Sequence, residues 1–235
     1  TLRDGQRGFC FVRARVGDAI VLTTYGRSSG FVLDPIEKKP LAHVLPGSTI
    51  LSFGTAGCNL ACKYCQNWEI STSRQFETLA APATPRALAA AAADAGAAGV
   101  AFTYNDPIVF AEYAIDTAVA CHEAGLLAVA VSAGWISPGP CDELFGAVDA
   151  ANIDLKGFTD DFYRRVTGGR LNDVLDTLVR VRGLGTWLEI TTLLIPGRND
   201  SDDEIAAECA WIVSELGAEV PVHFSAFHPA HRMLD

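Results

Sequence analysis

The chain has 235 residues, 49% hydrophobic and 20% charged, which supplies a sizeable core and excludes a disordered chain. Its 28 acidic against 18 basic residues leave a net charge of −10 and argue against a nucleic-acid binder, which needs a basic face. No run of about 20 uncharged apolar residues predicts a membrane span, and the opening residues do not read as a signal peptide, so none is expected.

Residues 1–46 contain two strand-like runs, Phe9–Val16 and Ala19–Tyr25, separated by the turn Gly17-Asp18. They are expected to form an N-terminal β appendage. A loop from Asp34 to Leu41, DPIEKKPL, follows. Its Glu37, Lys38 and Lys39 read equally well as a substrate-side loop or as a solvated charge run. From Ser48 the rhythm changes. Short apolar runs at 48–53, 99–104, 126–132, 150–156, 186–195 and 221–227 alternate with helical stretches. Thr84 and Pro85 start one helix as N-cap and first helical residue. A second begins near Pro107 and ends before Gly125. A third opens on Ser201 and Glu204 as a capping box, carries the stripe Ile205/Cys209/Ile212/Leu216, and stops at Gly217. Apolar strands alternating with helices predict a parallel sheet. The fold class is therefore α/β, a partial (β/α)6 barrel over residues 47–235 with the appendage at 1–46. Chemistry in such folds gathers at the C-terminal strand ends.

The run GCNLACKYCQNW carries Cys58, Cys62 and Cys65 in CxxxCxxC spacing. Three thiolates on one loop can hold three irons of a [4Fe–4S] cluster and leave the fourth iron open. A structural zinc site needs four ligands, commonly in C-x2-C pairs, which this loop lacks. The remaining cysteines are expected to be bland: Cys209 and Cys121 on core faces, Cys10 alternating in a strand with Val12, Ala14 and Val16, and Cys141 at a helix start. Seven cysteines without a disulfide framework point to a reducing cytosol, so a cytoplasmic location is expected. Gly54–Gly57 should form a flexible loop whose N–H groups can face cluster sulfides.

The other polar clusters fall at the predicted strand ends. Asn105 and Asp106 follow the second strand and can accept bonds from an ammonium. Ser132 and Gly134 follow the third; glycine permits close backbone approach. Asp154 and Lys156 alternate onto one side of the fourth, where opposite charges must pair or face a polar cleft. Thr192 and Pro196-Gly197 end the fifth. His228 follows the sixth, whereas His223 lies within that strand and reads as structural.

The cysteine loop, with Tyr64 before its last cysteine, resembles the signature loop of the radical S-adenosylmethionine (radical SAM) superfamily. CNLACKYCQNW resembles the activases of pyruvate formate-lyase. TYG at 24–26, DPIEKKPL at 34–41, NIDLKGF at 152–158, LLIPGRNDS at 193–201 and FHPAHRM at 227–233 are similar to the AmmeMemoRadiSam-system radical SAM enzyme. The resemblance implies a [4Fe–4S] cluster on Cys58, Cys62 and Cys65 that cleaves S-adenosylmethionine (SAM) to methionine and a 5′-deoxyadenosyl radical. It implies SAM contacts at Tyr64, Asn105, Asp106, Ser132, Gly134, Asp154, Lys156, Thr192 and His228. Asp106 departs from the group, which more often has Glu there. Implied partners are a one-electron donor such as flavodoxin or ferredoxin, and Memo-like or AMMECR-like proteins. An insert-free glycyl-radical activase and an iron–sulfur electron carrier are the alternatives, although a carrier needs no SAM cleft. Against the group's usual length, the sequence is expected to be truncated at both ends.

Overall fold

The computed structural model describes residues 2–74 and 81–234. The first residues form a hairpin of β1 (Arg13–Val16) and β2 (Ala19–Leu22), paired antiparallel across Gly17-Asp18. The strand expected from Phe9 begins only at Arg13, because Phe11 adopts φ +67° and breaks the extended run. Cys10 therefore lies in a turn and not in a strand. β3 (Arg27–Ser28) and β4 (Phe31–Pro35) follow.

The segment expected as a loop at 34–41 does not stay outside. β4 pairs antiparallel with β5 (Thr49–Phe53), Asp34 opposite Ile50, and a 3-10 turn at Ile36–Lys38 then carries the chain into the barrel. Ile36 and Leu41 are fully buried there. Nor is the charge run uniformly solvated: Lys39 is buried, with its Nζ 2.8 Å from Asp34 Oδ2, whereas Lys38 reaches Asp34 Oδ1 at 3.2 Å from an exposed position.

Beyond the cysteine loop come α1 (Trp68–Ser71), β6 (Ala81–Pro82), α2 (Pro85–Asp94), β7 (Gly99–Phe102), α3 (Ala111–Glu123), β8 (Leu127–Ser132), α4 (Pro138–Gly146) and β9 (Ala150–Asp154). The chain closes with α5 (Asp160–Phe162), α6 (Leu171–Leu184), β10 (Trp187–Leu194), α7 (Asp202–Glu215) and β11 (Val222–Ala226). The main sheet runs in the order β11-β10-β9-β8-β7-β5-β4, parallel except for the edge strand β4. Neighbours in space are neighbours in sequence. A parallel sheet wound one way curls into a half-barrel with its helices outside, and the expected partial (β/α)6 barrel is what the chain forms.

Side-chain alternation separates two cores. Leu51, Phe53, Val100, Phe102, Ala128, Ala130, Ile153 and Ile190 point outward and pack under the helices. Ile50, Ala101, Val129 and Ala150 point inward, where Ile36 and Leu41 cover them. The N-terminal half of the barrel is thus filled by apolar side chains, and its C-terminal half stays open.

Helix starts follow the sequence signals. Thr84 accepts the Ala87 N–H, and Ser201 accepts the Glu204 N–H. The expected capping box is only half made, because the Glu204 carboxylate accepts the Phe158 N–H instead of reaching back. Half of the expected stripe reaches the core: Ile212 and Leu216 are buried, Ile205 and Cys209 are half-buried, and Glu208 is buried beside them.

Candidate functional site

The loop after β5 is held rather than flexible. Gly54 to Gly57 are all buried. The Asn105 carboxamide, at the exit of β7, accepts the Thr55 N–H at 2.8 Å. Its Nδ2 stands 3.1, 3.0 and 2.9 Å from Thr55 Oγ1, Ala56 O and Gly57 O. Two glycines permit this. A Cβ on Gly54 would meet Thr103 O at 2.4 Å, and one on Gly57 (φ +78°) would meet Cys10 O at 2.0 Å. Further along, Ala61 and Lys63 donate their N–H groups to Thr167 and Val166. Tyr64 packs with Phe162, Val166, Ile195 and Met233.

Cys58, Cys62 and Cys65, all free thiols, line one cavity of about 520 Å³ at the C-terminal ends of the strands. Tyr64, Asn105, Asp106, Ser132, Asp154, Lys156 and His228 line it too. On their outer side the same cysteines border a cavity of about 290 Å³ with Cys10, Arg74 and Arg232.

Two expected contacts lie elsewhere. Thr192 is fully buried behind the sheet, its hydroxyl within bonding distance of Leu155 O and Glu208 Oε1. The reason is register. Thr191 is the cross-strand partner of Asp154, and paired residues share a face, so Thr191 faces the cavity and Thr192 turns away. Gly134 does not line the cavity; it packs against the core, where a Cβ would meet Ile153 Cγ2 at 2.8 Å. Thr191, Leu193, Ser225 and Tyr104 were missed by sequence reasoning. Alternation from Asp154 across to β10 would have found the first two. No sequence signal marks Tyr104, whose φ is +70°.

The electrostatics explain which polar groups are committed. Asp106 accepts the Ile108 N–H at 3.1 Å, the Ser132 hydroxyl at 2.9 Å and the Ala133 N–H at 2.9 Å. Burial raises its pKa despite these bonds. Lys156 Nζ lies 2.8 Å from Asp154 Oδ2. Burial opposes the lysine's charge, but Asp154, with Tyr64 and Cys62, holds it protonated well above the ordinary range. Burial also raises the thiols of Cys58 and Cys62, the latter to about 11, so without metal they stay protonated near neutral pH. A bound metal would deprotonate them.

These residues fit an iron–sulfur cluster and a polar ligand beside it. Three free thiols from one loop on the cavity wall supply three cysteine ligands and leave a fourth position open, as a [4Fe–4S] cluster with one open iron requires. The buried Tyr64 hydroxyl and Thr191 Oγ1 have no hydrogen-bond partner among the described residues, and both line the cavity. Orphaned buried groups are rare and mark where a polar ligand fits.

A half-barrel with three cysteines after its first parallel strand and a polar cavity at the strand ends defines a cofactor-binding α/β enzyme class. The radical SAM superfamily profile matches residues 53–209, and the chain belongs to that superfamily. It is 37% identical over 234 residues to an uncharacterized protein of Methanocaldococcus jannaschii, covering 100% of this chain and 69% of that one. Identity to the pyruvate formate-lyase-activating enzyme of Clostridium pasteurianum is 27% over 151 residues, 63% of each protein. The chain thus spans less than two thirds of that activase's length. Among solved structures, SuiB of Streptococcus suis bound to S-adenosylmethionine superposes with TM-score 0.62 at 11% identity, over 79% of this chain and 44% of that one. QueE from Escherichia coli gives 0.54 at 11% identity, over 85% and 82%. Both share the fold. No helix among the described residues is long and apolar enough to cross a membrane.

Proposed function

We propose that the chain is a radical SAM enzyme with a [4Fe–4S] cluster on Cys58, Cys62 and Cys65, acting on a protein or small-molecule substrate by hydrogen abstraction. The observation that carries this reading is the convergence on one cavity of three free thiols, two orphaned hydroxyls and a charged pair. When bound, the cluster and SAM together supply an electron transfer that breaks a C–S bond and yields methionine and a 5′-deoxyadenosyl radical.

The protein's own residues bind and orient. Asn105 holds the cysteine loop in shape. Asp106 has accepted three donors and keeps one acceptor position for the SAM ammonium. Ser132 orients Asp106. The Asp154–Lys156 pair offers an acceptor to a ribose hydroxyl and an ammonium donor to a carboxylate oxygen. Thr191 and Leu193 take the SAM-contacting place that the resemblance implied for Thr192. Tyr64 and His228 border the ligand from the cavity lining. Residues 47–235 form the catalytic unit, with 1–46 as an appendage whose β4 extends the sheet edge.

The outward cavity with Arg74 and Arg232 is the entry for an acidic one-electron donor such as flavodoxin or ferredoxin. Seven free cysteines support a reducing, cytoplasmic setting. Membership in the AmmeMemoRadiSam group, with Memo-like or AMMECR-like partners, rests on the sequence resemblance. A second reading, an insert-free glycyl-radical activase, is favoured by the similarity to the Clostridium pasteurianum activase.

The test is anaerobic reconstitution with iron and sulfide, then dithionite and SAM, with 5′-deoxyadenosine followed by mass spectrometry. Product that disappears when Cys58, Cys62 and Cys65 are all replaced by Ala supports the reading. An unchanged iron content and yield in that variant would overturn it.

A further inference from the structure

At the opposite mouth of the half-barrel three metal-ligating side chains converge, outside the cavity described above. Glu189 sits in β10 two residues before Thr191, on the same inward face, and is fully buried. His223 in β11 brings Nε2 to 2.6 Å from Glu189 Oε2. His43, on the segment that enters the barrel after β4, brings Nδ1 to 3.2 Å from the same oxygen. The three donor atoms lie within 4.8 Å of one another. The carboxylate is also oriented. Its Oε1 accepts the His43 N–H at 2.9 Å and the Trp187 Nε1–H at 3.1 Å, and Oε2 accepts the Ala42 N–H at 3.1 Å. Backbone and indole donors thus fix the carboxylate and turn Oε2 towards both imidazoles, as outer hydrogen bonds do for metal-ligating carboxylates.

We propose that His43, Glu189 and His223 bind a divalent transition ion of the zinc class. Two imidazoles and a carboxylate suit such ions, which hold these donors at about 2.0–2.2 Å. In a tetrahedral shell at that radius neighbouring donors stand about 3.3 Å apart, close to the 3.2 Å between His43 Nδ1 and Glu189 Oε2, whereas His223 Nε2, now hydrogen-bonded at 2.6 Å, moves back by about 0.7 Å to admit the ion. His43 is 56% exposed, so water can take the fourth position. The ion would join the β10 and β11 strands to the segment that plugs the barrel floor, where Leu41 and Ile36 close the inner core. Its role is that of a clasp on the floor, one inward-facing layer below Thr191, and not a catalytic one.

Zinc retention tests this on the full chain carrying Cys58→Ala, Cys62→Ala and Cys65→Ala, which removes the competing thiols. The protein is stripped with chelator and dialysed against Zn2+. The expected result is one zinc per chain, a melting temperature raised by Zn2+, and at least tenfold weaker binding with no Zn2+ effect on melting after His43→Ala or His223→Ala. His122→Ala, at a surface pair with Asp149, should change nothing. If the triple-Ala chain does not fold, Co2+ replaces Zn2+ on the intact chain. A visible d–d spectrum lost in His43→Ala, without a thiolate charge-transfer band, supports the site. No retained zinc, or retention equal in His43→Ala, overturns it. Because the cluster cysteines are absent or spectroscopically distinct, failure here leaves the radical SAM reading standing, and the reverse holds too.

Discussion

Asp154 and Thr191 are cross-strand partners on β9 and β10, and both side chains face the open half of the barrel. Thr192, one residue on, faces the helices and carries Glu208 against its hydroxyl. One step of strand alternation thus separates a ligand wall from a buried proton site.

Replacing the two threonines in turn should separate these roles. Thr191→Val removes a hydroxyl that has no partner among the described residues, so stability should stay within about 0.5 kcal/mol while SAM binding weakens. Thr192→Val leaves Glu208 without its hydroxyl partner and should cost about 1–3 kcal/mol with SAM affinity unchanged. Thermal melts and SAM titrations of both variants decide it. The reverse pattern would sink the assignment of faces.

Glu208 makes stability depend on pH. Burial raises its pKa to about 7, with the Thr192 hydrogen bond working against the rise and Glu204 adding to it. The folded state holds this proton where the unfolded chain, near 4.5, has released it. The contribution to stability is therefore complete below about 4.5 and is lost as pH rises through about 7. Glu208→Gln mimics the protonated form, so its melting temperature relative to the parent should rise between pH 5 and pH 8. A constant difference would show that Glu208 does not titrate there.

Asn105→Ala should loosen the cysteine loop. It strips partners from the Thr55 N–H and from the carbonyls of Ala56 and Gly57, each at a cost of about 1–3 kcal/mol if left unsatisfied. Iron content after reconstitution and the melting temperature should fall together. Full iron loading at parental stability would mean that the loop holds its shape without the clamp.

Lys156→Met removes the cation from the Asp154 pair. The side chains are 15% and 33% exposed, so the loss is softened by cavity water and should be about 1–2 kcal/mol in stability. SAM binding should weaken about tenfold or more with iron content unchanged, as measured by equilibrium dialysis on the reconstituted protein. Iron loss with unaltered SAM affinity would instead make Lys156 part of the cluster environment.

Much of this protein is readable along the chain because its signals are local. The CxxxCxxC loop, the six apolar runs and the caps at Thr84 and Ser201 each lie within a few residues, and periodicity converts them into elements. Alternation also put Asp154 and Lys156 on one side, with pairing and a polar cleft both open, and the two side chains pair at the cavity. Tertiary structure decided what depends on register between strands and on chain reversal. It turned Thr191 rather than Thr192 to the cavity and drew DPIEKKPL inside the barrel as an edge strand and a plug. It also brought His43 to Glu189 across 146 residues. Those outcomes arise because hydrogen-bonded sheet partners set each side chain's face, and because the half-barrel needs apolar filling at its N-terminal end. Neither constraint is written in any short window of sequence.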